Sequence, residues 1–201
     1  MLLLASRTLQ RFISAHVPPP QPDVRPEDWV RLGEFSEADS EANAETLVLQ
    51  LYRVEPDPQG PYRRNPGAKG SPTQLLLHLH YAVSYQSKSQ ESLESALGGV
   101  LRAFHTVPVI EPRDYLTAVD QRAAGASGLQ LGGLDVSLET PDPERTEPLW
   151  RGRQGGARLC LYYQVRSVQV PGYLDGEAPG VRTARASAPA QMGPAAAGAG
   201  S

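Results

Sequence analysis

One stretch constrains the fold more than any other. Within 74–85, Leu75, Leu77, Leu79, Tyr81, Val83 and Tyr85 alternate with Leu76, His78, His80, Ala82 and Ser84. A side chain returns to the same face at every second residue only in an extended strand, so the chain must build a sheet around this segment. A second alternation at 46–54 sets Leu47, Leu49 and Leu51 against Val48, Gln50 and Tyr52, and Pro56 closes it. Between the two, 56–73 holds five Pro and three Gly together with Arg63, Arg64 and Lys69. That segment is expected to be an extended, exposed loop, longer than a hairpin needs.

From Ser87 the period changes. Leu93, Ala96, Leu97, Val100, Leu101 and Phe104 recur at helical spacing, with Ser87 and Gln90 spaced as a capping box. Gly98 and Gly99 weaken a helix interior by about 1 kcal/mol each, and close backbone approach to the sheet accounts for at least one of them. Pro108 stops the helix. A short second helix is expected over 113–122, around Tyr115, Leu116 and Val119. Leu134, Val136 and Leu138 read as a strand, with Gly132 and Gly133 marking a bulge at its start. A helical turn is expected at 140–151 around Leu149 and Trp150, with Pro148 arguing against a regular helix. Leu159, Leu161, Tyr163 and Val165 then form a strand that runs to Pro171.

The ends read differently. Over 1–22 there is no acid, and Leu9, Phe12 and Ile13 fall among Arg7, Gln10 and Arg11. Arg7 breaks the apolar run a secretory signal requires, so a short amphipathic helix packing one face on the domain is expected, ended by Pro18, Pro19 and Pro20. Residues 176–201 hold nine Ala, five Gly and three Pro among 26 and no aromatic residue. Such a composition cannot bury enough apolar area to offset chain entropy, so a disordered tail is expected. The organisation is thus an N-terminal helix and Pro-rich linker at 1–22, one domain at 23–175 and a tail at 176–201. The fold class is α+β: a single mixed sheet of about four strands with helices packed mainly on one face. Contact of the long helix with the Leu75/Leu77/Leu79 face forms the centre of the core.

Chemistry is sparse. The formal charge of −3 gives no basic nucleic-acid footprint, and Tyr81 with Tyr85 on the apolar face do not make an RNA-binding surface. The single cysteine, Cys160, excludes an intramolecular disulfide and a cysteine-pair metal site, and it reads as a buried, inert thiol mid-strand. No apolar run approaches the length of a membrane span. His78 and His80 share a strand face, but no third ligand stands at a recognisable spacing. They read as polar residues on the solvent face or at a subunit contact. Glu34, Glu37, Asp39, Glu41 and Glu45 read as a solvated linker. There is no G-x-S-x-G, no phosphate-binding glycine-lysine loop and no dinucleotide fingerprint. Arg63, Arg64 and Lys69 form the one compact basic group, either solvated or docking on an acidic partner surface. Catalytic, cofactor-binding and metal residues are therefore assigned to none, and a binding or assembly role is favoured.

Three stretches together carry a family resemblance. The first is Leu49-Gln50-Leu51-Tyr52-Arg53-Val54-Glu55 with the strand Leu75-Leu76-Leu77-His78-Leu79-His80-Tyr81-Ala82-Val83. The second is the helix ending at Phe104 and its continuation His105-Thr106-Val107-Pro108-Val109-Ile110. The third is Leu134-Asp135-Val136-Ser137-Leu138-Glu139, then Leu149-Trp150, then Leu161-Tyr162-Tyr163-Gln164-Val165. In order and spacing these resemble the N-terminal domain of the cap, or tail terminator, protein of phage-tail-like contractile injection systems, over roughly residues 5–171. The resemblance implies a non-enzymatic structural protein without cofactors. It implies a homo-oligomer, a six-fold ring, that caps inner tube and sheath at the baseplate-distal end of a particle that is then released; assembly in the cytoplasm is expected from the lack of an export signal. Arg63, Arg64, Lys69, His78 and His80 are the interface candidates. The alternatives are a tail-completion or baseplate adaptor of the same particle, or a non-catalytic module that binds a peptide or small ligand.

Overall fold

A computed structural model describes residues 1–19, 25, 28–35, 45–59, 62–63, 74–87, 89–126, 132–151 and 159–171. Its strands are β1 (Val30–Leu32), β2 (Thr46–Pro56), β3 (Tyr62–Arg63), β4 (Gln74–Gln86), β5 (Val109–Ile110), β6 (Leu134–Leu138) and β7 (Cys160–Pro171). Four α-helices are described: α1 (Leu2–His16), α2 (Gln90–Thr106), α3 (Ala118–Ala126) and α4 (Pro143–Trp150), with a 3-10 turn at Pro112–Asp114. The strands form one sheet in the order β1-β2-β4-β7-β6-β5, with β3 also on β4. Only the β1–β2 pair is parallel. The class is α+β as expected, but there are seven strands rather than about four. The extra three have two or three residues each, too few to show any period.

β4 lies between the two long strands, antiparallel to both, which is why its alternation dominates the sequence. Its faces are not split into core and solvent: Leu79, Tyr81, Val83 and Tyr85 are buried on one side, and His80, Ala82 and Ser84 on the other. A strand covered on both sides reads as a continuous run. One side meets α1 and α2, where Leu9, Phe12, Ile13, Leu97, Val100 and Phe104 join Leu79, Tyr81 and Val83 in the main core. The centre is thus the Leu79–Tyr85 half of β4, not Leu75 and Leu77. The other side carries a smaller cluster of Phe35, Val48, Ala82 and Leu149, covered by α4. Helices therefore sit on both faces.

Local signals explain the helix ends. Val17 N donates to Ile13 O at 2.8 Å as the last bond of α1, and Pro18 cannot continue it. The cap of α2 is Ser89, whose Oγ accepts from Ser92 N at 3.3 Å, rather than Ser87, whose Oγ accepts from Ser89 N at 3.0 Å. The helix expected at 113–122 divides into the 3-10 turn and α3, and Val119, one of the residues around which it was expected, is 72 % exposed. β6 pairs with β7 without a register shift; the bulges fall instead at Leu51/Arg53 and Leu77/Leu79. Pro148 does lie inside α4, whose start is fixed by Asp142 Oδ1 accepting from Glu144 N at 3.1 Å. Two turns have few internal bonds for a proline to remove.

Gly99 is explained by α1, not by the sheet. A Cβ there would stand 2.6 Å from Val17 Cγ1, whereas a Cβ at Gly98 would meet nothing within 4 Å. Gly98→Ala is expected to stabilise the fold by about 1 kcal/mol through helix propensity. Gly99→Ala is expected to destabilise it by about 1–3 kcal/mol through overpacking. Paired urea unfolding curves check the opposite signs.

Candidate functional site

The most elaborate group of polar side chains lies where β2, β4 and β7 run side by side past the two bulges. Register places Arg53 opposite His80, Glu55 opposite His78, and His80 opposite Gln164. Both imidazoles do share a face, but that face is closed. His80 is 4 % exposed, so the solvent-face reading gives way to a buried one.

His80 sits between carboxylates from two elements. Its Nδ1 is 2.7 Å from Glu139 Oε2, and its Nε2 is 3.1 Å from Glu55 Oε2 without the alignment of a hydrogen bond. A carboxylate only accepts, so the proton on Nδ1 is fixed by Glu139. The other oxygen of Glu139 accepts from Tyr52 Oη at 3.0 Å. Burial first, and Glu139 next, push the Tyr52 hydroxyl up, which keeps it a donor. Glu55 also pairs with Arg53 along its own strand. His78 accepts at Nδ1 from the Gln164 amide at 3.2 Å and places Nε2 3.6 Å from Asp57. Trp150 Nε1 donates to Tyr162 Oη at 3.3 Å, and Tyr162 meets Tyr52 edge-on. One network thus joins three strands, the residue that follows β6, and α4.

This arrangement holds strands in register and presents Glu55 and Glu139 at its rim. It does not hold an activated nucleophile. Burial pushes the Cys160 thiol up to about 12, so it is protonated at neutral pH. Among the described residues no three His, Cys, Asp or Glu side chains are grouped to hold a metal ion, and no helix is long and apolar enough to cross a membrane.

The other candidates are placed elsewhere or not at all. Arg63 pairs through its backbone with Gln74 in β3; its side chain, and all of Arg64 and Lys69, lie outside the described residues, as do Glu37, Asp39, Glu41 and the 176–201 segment. Glu45 is not a free linker acid: its carboxylate accepts from Tyr85 Oη at 3.0 Å and from Ser87 Oγ at 3.3 Å. Sequence reasoning missed Glu55 and Glu139 as partners of His80. The hairpin-like register of the two long alternations would have put Glu55 beside His78. Nothing in the sequence brings Glu139 across, because that requires the strand order β4-β7-β6.

The family model described as the Pvc16 N-terminal domain matches residues 5–183. No curated protein matches. A solved structure described as the PVC sheath/tube terminator, in the extended state, of an extracellular contractile injection system is similar with a TM-score of 0.56 and 16 % identity. The match covers 98 % of this chain and 65 % of that one. At that identity the likeness is one of fold.

Proposed function

The chain belongs to the Pvc16 N-terminal domain family, and from that premise we propose that it is a structural, non-catalytic tail terminator. In this reading it ends tube and sheath polymerisation at the baseplate-distal end of a contractile injection particle. The observation that carries the proposal is the shared fold, over nearly the whole chain, with a protein described as a sheath/tube terminator. The site is consistent with it. Its ionisable groups are spent on each other across strands, which suits a rigid building block better than a reaction centre.

A six-fold ring of identical subunits would stop a helical stack, because one heterologous contact closed on itself leaves no free end. Each subunit must then offer two unlike patches. The β1 edge of the sheet, where β1 pairs with β2 at Leu47–Leu49, is proposed as one of them. Arg63, Arg64 and Lys69 are proposed to meet an acidic surface of tube or sheath, and His78 and His80 to act indirectly, by holding Glu55 and Glu139 in place.

The test is immunogold negative-stain microscopy of a high-speed pellet from cells carrying an epitope at residue 201. Gold at one end of sheathed tubes, opposite the baseplate, is the expected result. Gold at the baseplate would replace the terminator by an adaptor, and label left in the supernatant would overturn the particle assignment.

A further inference from the structure

The β6 edge of the sheet is only half closed. β5 reaches Leu134 and Asp135, and Pro108 O accepts from Val136 N at 2.8 Å. Beyond that the neighbouring chain belongs to the end of α2. Ser137 and Glu139 turn their backbone groups toward β7, where Glu139 N donates to Tyr162 O at 2.8 Å. Antiparallel alternation therefore points the N–H and C=O of Leu138 outward. Neither has a partner among the described residues.

A cavity of about 560 Å³ opens beside this edge, lined by Leu101, Phe104, Pro108, Val136, Leu138 and Tyr163. Leu101, Leu138 and, next along the edge, Val109 are 38 %, 59 % and 51 % exposed, an unusual concentration of large apolar side chains at one surface. Among the described residues, the cavity's only ionisable side chains besides Tyr163 are Arg102 and His105, and no acid lines it. Tyr163 supplies an independent sign of a missing group: it is 3 % exposed and its hydroxyl has no partner among the described residues. Burial pushes that hydroxyl up, so it remains an unmet donor.

We propose that this groove receives an extended segment of a different protein, which pairs with the outer edge of β6, seats an apolar side chain in the cavity and sets a carboxylate against Arg102 and His105. Strand addition supplies the backbone bonds and alternate side chains supply the selectivity. A second copy of this chain is a poor occupant. The acids on its described strands are already engaged: Glu55 with Arg53, and Asp135 with Arg166. The inference stands on this geometry and does not depend on the terminator reading.

The probe is a dye-labelled peptide of alternating valine and threonine with one terminal aspartate, titrated against the full chain by fluorescence anisotropy. Saturable binding on the order of 10–100 µM is expected. Methylating alternate amides of the peptide distinguishes a strand from a generic apolar contact. One alternate set is expected to abolish binding and the other to leave it within about twofold, because only one set faces β6. Leu138→Pro removes an N–H that the native ladder does not use, so it is expected to weaken binding about tenfold or more with little change in thermal midpoint. Arg102→Glu is expected to exchange the preference for aspartate for one for lysine. Equal binding by both methylated peptides, or no binding by the unmodified one, would overturn the proposal. So would self-association of the chain that Leu138→Pro abolishes while the peptide fails to bind.

Discussion

Phe12→Ala is expected to destabilise the fold by about 3–5 kcal/mol, the usual range for deleting a fully buried aromatic side chain. Phe12 is 0 % exposed although it lies near the chain's start. Its ring stacks on Phe104 of α2 at 5.3 Å between centroids and meets Tyr115 edge-on at 5.4 Å. Phe104 in turn contacts Tyr163 of β7 at 4.6 Å. Two aromatic contacts thus carry α1 through α2 into the sheet and a third ties it to Tyr115, so the helix is part of the core rather than an appendage. Domains are stable by only about 5–15 kcal/mol, and each kcal/mol lowers the midpoint of a chain this long by about 2–4 °C. The thermal midpoint should therefore fall by at least about 6 °C. Leu3→Ala on the same helix is the control: Leu3 is 56 % exposed, and the change should stay within about 0.5 kcal/mol. A Phe12→Ala protein within about 1 kcal/mol of wild type would mean that α1 is held by its polar contacts and not by its apolar face.

What could be read in advance follows the range of the interaction. The alternation in β4 and the helical spacing from Leu93 to Phe104 are local signals, and both elements are found where they were expected. β1, β3 and β5 owe their existence to neighbours already in place, so two or three residues such as Val109 and Ile110 carry no pattern of their own. Val119 shows the converse: it was one of the residues that marked the helix expected over 113–122, and in α3 it is exposed. The solvent-face alternative for His80 failed for a related reason. A polar residue on an alternating strand reads as solvent-facing, whereas α4 and the β6 end close that face and supply Glu139 as a buried partner. The half-open edge at Leu138 was equally hidden, since it depends on where β5 stops.

Asp120 was not singled out for the same reason, and its removal is expected to have the second large effect. Thr117 and Asp120 form a reciprocal cap at the start of α3: Thr117 Oγ1 accepts from Asp120 N at 3.3 Å, and Asp120 Oδ2 accepts from Thr117 N at 3.2 Å and from Thr117 Oγ1 at 2.6 Å. Arg11 Nη1 also donates to Oδ2 at 2.6 Å, and Arg7 pairs with Oδ1. One carboxylate, 3 % exposed, therefore ties two turns of α1 to α3. The bonds from Thr117, Arg11 and Arg7 hold its carboxyl well below the usual carboxylate range, against burial, which acts in the opposite direction. Asp120→Asn keeps the shape but loses both ion pairs. Because Arg7 and Arg11 are 41 % and 33 % exposed and can turn to water, the expected loss is about 2–4 kcal/mol at neutral pH, measured by urea unfolding. The pH dependence has a definite sign. In the unfolded chain this carboxyl takes up a proton near about pH 3.9, while in the folded chain it does so only at lower pH. Its contribution is full above the unfolded value and is lost as pH falls through the folded one. Wild-type stability should therefore drop more steeply than that of Asp120→Asn below about pH 4, so that the two unfolding curves converge in acid. Curves that remain parallel from neutral pH into that range would show that the ionised carboxylate does not hold α1 to α3.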